Sequence, residues 1–143
     1  MKKILGFLVA FSLFSSLAAC QPSLPSGTML SDVQRKAVLA FTEPQMENLL
    51  DGWNANNYDV FSKNFDPDLL KSMTRAEFEK LNTDALTGLG RFYSREVESV
   101  VERDDGSYTV IYYGVFENDD EVLMRVTFQG DEPHRINNLS FEK

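Results

Sequence analysis

The sequence predicts an α+β domain, with N-terminal helices packed on a four-stranded antiparallel meander. Two runs of pattern along the chain predict it. From Ser31 to Gly90, helix-start signals precede apolar residues spaced three and four apart. From Phe92 to Phe141, apolar residues recur at every second position in four runs separated by turn residues. A third observation stands ahead of the domain: Lys2 and Lys3, an apolar stretch from Ile4 to Ala19, and the only cysteine, Cys20.

Residues 1–19 have the layout of a secretory signal peptide, basic, then apolar, then small at the cleavage point. The run Leu17-Ala18-Ala19-Cys20 resembles the lipobox of bacterial lipoproteins, whose cysteine sulfur takes a diacylglycerol and becomes the mature N-terminus. The apolar stretch is broken by Ser12, Ser15 and Ser16 and falls short of the ~20 residues a spanning helix needs. A soluble secreted chain would leave Cys20 as a reactive free thiol. The expectation is therefore a protein lipidated at Cys20. It would sit on a membrane outside the cytoplasm, at the cell surface or the periplasmic face. Two acyl chains, at ~0.8 kcal/mol per buried methylene, give lasting attachment.

The formal net charge is −8, and it becomes −10 once Lys2 and Lys3 leave with the signal. Nucleic acid is excluded as a partner, because binding it needs clustered Lys and Arg. The same sign disfavours a domain lying on anionic lipid. No second cysteine exists for a disulfide, so an apolar core must supply stability. Gln21 to Leu30, with two prolines, a glycine and no periodicity, reads as a flexible tether between Cys20 and a domain spanning 31–143. Fully extended at ~3.1 Å per residue, it would hold the domain ~30 Å off the lipid.

Each element has its own signal. Ser31 with Gln34 and Thr42 with Gln45 both fit the capping box, which predicts one helix over Asp32 to Phe41 and a second after Thr42. In the second, Met46, Leu49, Leu50 and Trp53 fall on one face, and Pro44 lies in the first turn where its missing N–H costs little. Asn54, Asn56 and Asn57 end it. A helical turn over Tyr58 to Phe65 follows. Asp66-Pro67 then caps a segment with Leu69, Leu70 and Met73 inward. Thr74 with Glu77 opens a helix with Phe78, Leu81 and Leu86 as its apolar line, stopped by Gly88 and Gly90.

The strands are Phe92 to Glu102, Tyr108 to Glu117, Glu121 to Gln129 and Arg135 to Phe141. Turns at Asp104-Asp105-Gly106, Asn118-Asp119-Asp120 and Gly130 to Pro133 make neighbours antiparallel. The second run is apolar on both faces and suits a central strand. The third alternates cleanly, with Val122, Met124, Val126 and Phe128 on one face. In the last, Ile136 and Leu139 differ in parity, which predicts a bulge near Asn137-Asn138.

From about Met46 to Phe141 the chain resembles the domain of unknown function 3887 family, a branch of the nuclear transport factor 2-like superfamily. The segment Glu47 to Asp66 (ENLLDGWNANNYDVFSKNFD), the capped helix Thr74 to Leu81 (TRAEFEKL) and the strand Phe92 to Glu96 (FYSRE) carry the resemblance. It implies a cone-shaped domain, often exported and lipid-anchored, with no established reaction and no catalytic residues to carry over. Independently of the resemblance, a strongly twisted sheet under a few helices tends to form a half-open cone with a pocket between the helices and the concave sheet face.

Candidates for chemistry are few. His134, the only histidine, lies in a turn with no visible partner and reads as solvated. The acidic turns lack the ligand spacing of a calcium loop, and no Cys/His cluster exists for zinc, so neither metal nor cofactor is expected. Trp53, Tyr58, Tyr112, Tyr113 and Met124 are the candidates to line a pocket. In the superfamily's isomerases and dehydratases a tyrosine and an acid cooperate on a carbonyl substrate, and Tyr112 or Tyr113 with Asp59 would imitate that pair by analogy of fold. The favoured expectation is a non-catalytic domain binding a small apolar ligand or a protein partner. A pocket enzyme and a homodimerising structural module are the alternatives. A closed cavity with a buried acid beside a tyrosine would favour the enzyme, a cavity lined only by Phe, Met, Val and Trp would favour apolar ligand binding, and a filled cone with an exposed apolar sheet face would favour association.

Overall fold

The computed structural model describes residues 26–142, except the side chains of 84–87; the expected signal peptide, Cys20 and the first half of the expected tether lie outside them. Four helices precede the main sheet: α1 (Asp32–Asn54), α2 (Tyr58–Phe61), α3 (Pro67–Ser72) and α4 (Arg75–Gly88). The sheet is a five-stranded antiparallel meander in the order β1-β2-β3-β4-β5. Its strands are β1 (Thr28–Met29), β2 (Phe92–Glu102), β3 (Tyr108–Phe116), β4 (Asp119–Phe128) and β5 (Ile136–Glu142). The class is α+β, as expected. The strand count is not.

The extra strand comes from the end of the expected tether. Thr28 pairs with Glu102 and Met29 with Val101, and the Leu30 N–H donates to the Val100 carbonyl at 3.1 Å. A strand of two residues has no periodicity to read. Its strand conformation comes from the unfilled backbone edge of β2.

The two expected helices before Asn54 are one. α1 runs 23 residues through Pro44. Proline there removes one intrahelical bond, a cost of ~3 kcal/mol in a helix interior. The buried stripe Val38, Thr42, Gln45, Met46, Leu49, Leu50 and Trp53 is continuous across it, and burying several such side chains at ~1.5–3 kcal/mol each outweighs the break. Thr42 therefore caps nothing: it is buried mid-helix with its hydroxyl unpartnered. At the true start the expected Ser31–Gln34 capping box forms, with the Gln34 side chain accepting from the Ser31 amide at 3.3 Å. Asp66 caps α3 as expected, accepting from the Asp68 and Leu69 amides at 3.1 and 2.7 Å. Leu69 is buried, Met73 is half-buried, and Leu70 is exposed rather than inward. The expected role of Leu86 lies outside the described side chains.

β3 is the central strand, flanked by β2 and β4. Its Tyr108, Val110, Tyr112, Gly114 and Phe116 oppose Phe128, Val126, Met124, Val122 and Asp119 on β4. The β3–β4 turn is only Glu117-Asn118, tighter than expected, so β4 begins at Asp119. Both turn amides are anchored, to the Arg91 and Leu89 carbonyls at 2.8 and 3.0 Å. The expected bulge in β5 is present: pairing jumps from Thr127↔Asn138 to Phe128↔Ile136 and strands Asn137 between them. β2 carries two further irregularities, between Phe92 and Ser94 and between Val97 and Ser99. Such bulges bend a strand and deepen sheet twist.

Candidate functional site

A polar cluster of three side chains joins α1 to the sheet. The Tyr112 hydroxyl donates to Glu43 Oε1 at 3.0 Å, and Arg95 Nη2 donates to Glu43 Oε2 at 2.7 Å. The Arg95 guanidinium also lies over the Tyr112 ring, 5.6 Å from its centre. Each residue arrives from a different element. Glu43 is on α1 beside the buried stripe, while Tyr112 is on the core face of β3. Arg95 is on β2 opposite Gly114, sharing inward parity with Val97. Burial and then the neighbouring Glu43 carboxylate hold the Tyr112 phenol well above its ordinary range, so it stays a proton donor. The Arg95 side chain is 13% exposed and that of Glu43 36%, so one end of the pair touches water.

This cluster clasps α1 to the sheet, and of its three members only Arg95 lines a cavity defined by the described residues. The cavities defined by the described residues, of about 510, 460, 200 and 80 Å³, open at the surface, and neither Tyr112 nor Met124 lines any of them. Tyr112 and Met124 are fully buried among Val110, Val126 and Phe128. The expected pocket between helices and concave face is, in these residues, packed core.

The pocket candidates do not converge. Trp53 is buried, its indole N–H donating to the Gly90 carbonyl at 3.3 Å with its ring against Phe116 and Phe141. Tyr58 is half-buried, donates to the Met73 carbonyl at 2.8 Å and packs on Phe78. Tyr113 points to the opposite sheet face from Tyr112 and is 46% exposed. Asp59 is paired at the surface with Arg75 at 2.6 Å and takes no part in a tyrosine–acid pair. The acid that does so is Glu43. His134 is not simply solvated: its ring stacks on Phe41 with centres 3.9 Å apart, and its Nδ1 lies 3.1 Å from the Gln129 carbonyl.

Sequence reasoning missed Glu43 and Arg95 together. The signal available was Arg95 itself, a charge at an inward strand position that must find a partner. Reading Thr42 as a helix cap hid the partner, because Glu43 then fell in a first turn rather than beside a buried stripe.

A surface cavity lies on the outer sheet face. It is a trough of about 510 Å³ lined by Ser94, Arg95, Glu96, Tyr113, Val115, Asp120 and Glu121. Cross-strand pairing builds it, with Glu96 opposite Tyr113 and Ser94 opposite Val115. Tyr113 and Val115 present exposed apolar surface, and Glu96, Asp120 and Glu121 supply three carboxylates. Arg95, the single cation in the lining, is already committed to Glu43. Tyr93, beside the β2 irregularity, adds another exposed ring near this end of the sheet.

Among the described residues no group of three or more His, Cys, Asp or Glu is placed to hold a metal ion. No helix among them is long and apolar enough to cross a membrane. No protein-family model matches the chain, and no curated protein or solved structure matches it.

Proposed function

We propose that this protein is a lipid-anchored, extracytoplasmic, non-catalytic binding domain that takes a basic, extended segment of a partner protein in the outer sheet trough. One observation carries the reading: the interior is packed where a pocket was expected, while the outer face opens a trough with an aromatic floor and a carboxylate rim. An extended chain suits a groove bounded by strands, and Lys or Arg stems lie well along Tyr113 and Val115 with their charges at the rim. The exposed Tyr113 ring offers a cation–π face to the same groups.

The signal-peptide layout and Leu17-Ala18-Ala19-Cys20 support the anchor. Helices followed by a bulged antiparallel meander support placement in the nuclear transport factor 2-like superfamily. The Tyr112–Glu43 hydrogen bond has the residue types of the enzyme alternative, but Glu43 is held by Arg95 and no described cavity reaches it.

Two measurements test the reading. Cys20→Ser should abolish fatty-acid labelling and release the protein from membranes; unchanged labelling defeats the anchor. An oligo-lysine peptide titrated against the purified domain should shift NMR signals of Tyr113, Val115 and Glu121. Glu96→Gln with Glu121→Gln should weaken it severalfold and an oligo-glutamate peptide should leave the trough unmoved. Lysine binding spread evenly over the surface, or a dimer that covers Tyr113, defeats the trough.

A further inference from the structure

In the first half of α1, Gln34, Ala37, Val38 and Phe41 fall at i, i+3, i+4 and i+7, so they share one side of the helix. That side meets Leu30, Glu102 and Tyr108 across an open, mainly apolar groove of about 200 Å³. Register brings the strand residues together. Thr28 pairs with Glu102 and Glu102 with Tyr108, while the Leu30 N–H donates to the Val100 carbonyl two positions along β2. Leu30, Glu102 and Tyr108 therefore lie on the same sheet face, the one that also carries Val110 and Tyr112. Phe41 and Tyr108 meet edge to face with ring centres 6.0 Å apart. Leu30, Phe41 and Tyr108 are only half-buried, so each still has apolar surface to cover.

Size and position say what covers it. Small-molecule sites usually run to ~300–1,000 Å³. This groove is smaller and suits one or two side chains. The described backbone begins beside it: at Gly27 any side chain would collide with Glu102, a wall of the groove, and with Val101. Ahead of Ser26 stand Gln21-Pro22-Ser23-Leu24-Pro25, which carry no charge and one large aliphatic side chain, Leu24. Leu24 is three residues from Gly27 and can reach at most about 10 Å from it. Gln34 to Phe41 is seven residues of helix, also about 10 Å. The reach matches the groove. Pro25 restricts the residue before it to extended backbone, which lowers the entropy lost when Leu24 is held.

We propose that Leu24 seats in this groove against Phe41 and Tyr108, fastening the segment ahead of β1 to α1. The contact is intramolecular across three residues, so its effective concentration is high and a single apolar side chain suffices. The seating needs no lipid. Where Cys20 carries one, as argued above, it shortens the free leash from Gln21–Ser26 to Gln21–Ser23 and draws the domain towards the bilayer.

The test uses the chain with Cys20→Ser, in which two introduced cysteines are the only thiols. Ser23→Cys, beside Leu24, is combined either with Ala37→Cys on the groove rim or with Lys36→Cys on the opposite side of α1. Ala37 and Lys36 are both exposed, so neither change disturbs the core. Under mild oxidation the 23–37 disulfide should close at least about tenfold faster than the 23–36 disulfide, and adding Leu24→Ser should remove most of that difference. Equal rates at 36 and 37, or a 23–37 rate that Leu24→Ser leaves unchanged, overturns the seating. Disulfides formed between chains rather than within one overturn it in favour of a second copy in the groove. Fatty-acid labelling of the chain with Cys20 intact reports on the anchor separately, so the anchor and the seating can fail independently.

Discussion

Tyr112 and Glu43 stand 69 positions apart in sequence and meet in the interior, phenol to carboxylate at 3.0 Å, with Arg95 closing the cluster. Their contact joins the middle of the longest helix to the central strand. Stability and the placement of α1 should both depend on it.

Tyr112→Phe should therefore lower unfolding stability by about 1–2 kcal/mol, near the lower end for a hydrogen bond to a charged group because Glu43 keeps Arg95. Its pH dependence gives a sharper signature. The folded phenol titrates above the unfolded one, so the folded state retains a proton that the unfolded state loses in alkali. The contribution is whole below an unfolded tyrosine value of about 10 and erodes as pH rises past it. Urea unfolding from pH 8 to 11 should show the wild type losing stability more steeply than Tyr112→Phe. Parallel curves would remove Tyr112 as the cause.

The Glu43–Arg95 pair lies between the exposed and the buried regimes of ion pairing. Exposed pairs contribute ~0.2–1 kcal/mol, and breaking a fully buried one costs ~3–5 kcal/mol. A double-mutant cycle of Glu43→Gln and Arg95→Met should give a coupling of about 1–2 kcal/mol. A value near zero would reduce the pair to a surface contact.

Asn54, on the last turn of α1, plays the part of a neighbouring strand. Its side chain accepts from the Phe92 N–H and donates to the Phe92 carbonyl, both at 2.9 Å. Farther along the same strand, Arg35 donates to the Val97 carbonyl at 2.7 Å. Together they occupy β2 backbone groups that β1 is too short to reach, a way of closing an edge against other chains. Asn54→Ala should cost about 1–2 kcal/mol and speed hydrogen exchange at the Phe92 amide. Unchanged exchange there would show that the edge is closed by other means.

Gly52→Ala sets helix propensity against packing. Alanine is favoured by ~1 kcal/mol in a helix interior. Here its Cβ would fall on the Phe61 backbone, which cannot move aside as a flexible side chain can. Overpacking should win, with a net loss of about 2 kcal/mol or more in thermal or urea unfolding. A stabilised variant would mean that α2 shifts freely against α1.

The class of fold and most element positions were legible because they depend on local rules. Asp66 before Pro67 caps α3, and the Asp104-Asp105-Gly106 turn places Gly106 at φ +79°, a conformation glycine adopts without penalty. Parity sorted β4 correctly, since a one-residue slip would have turned Val122, Met124, Val126 and Phe128 away from the core. Even the β5 bulge showed as a change of parity between Ile136 and Leu139. Local signals also misled where they were locally sound. Thr42, Pro44 and Gln45 have the chemistry of a helix start, yet the buried stripe on either side carries α1 straight through them.

By itself, then, the sequence determined the α+β class, the parity of the strands and the cap of α3, all fixed by neighbours within a few residues. The tertiary structure alone decided the β1 pairing, the single α1, the Glu43–Arg95–Tyr112 cluster and the trough beneath Tyr113. All but the unbroken α1 join groups tens of residues apart, and α1 is carried through Pro44 by burial against such groups. Their partners are chosen by which backbone edges and inward charges the fold leaves unsatisfied, and burial makes leaving them so more costly than bringing distant residues to meet them.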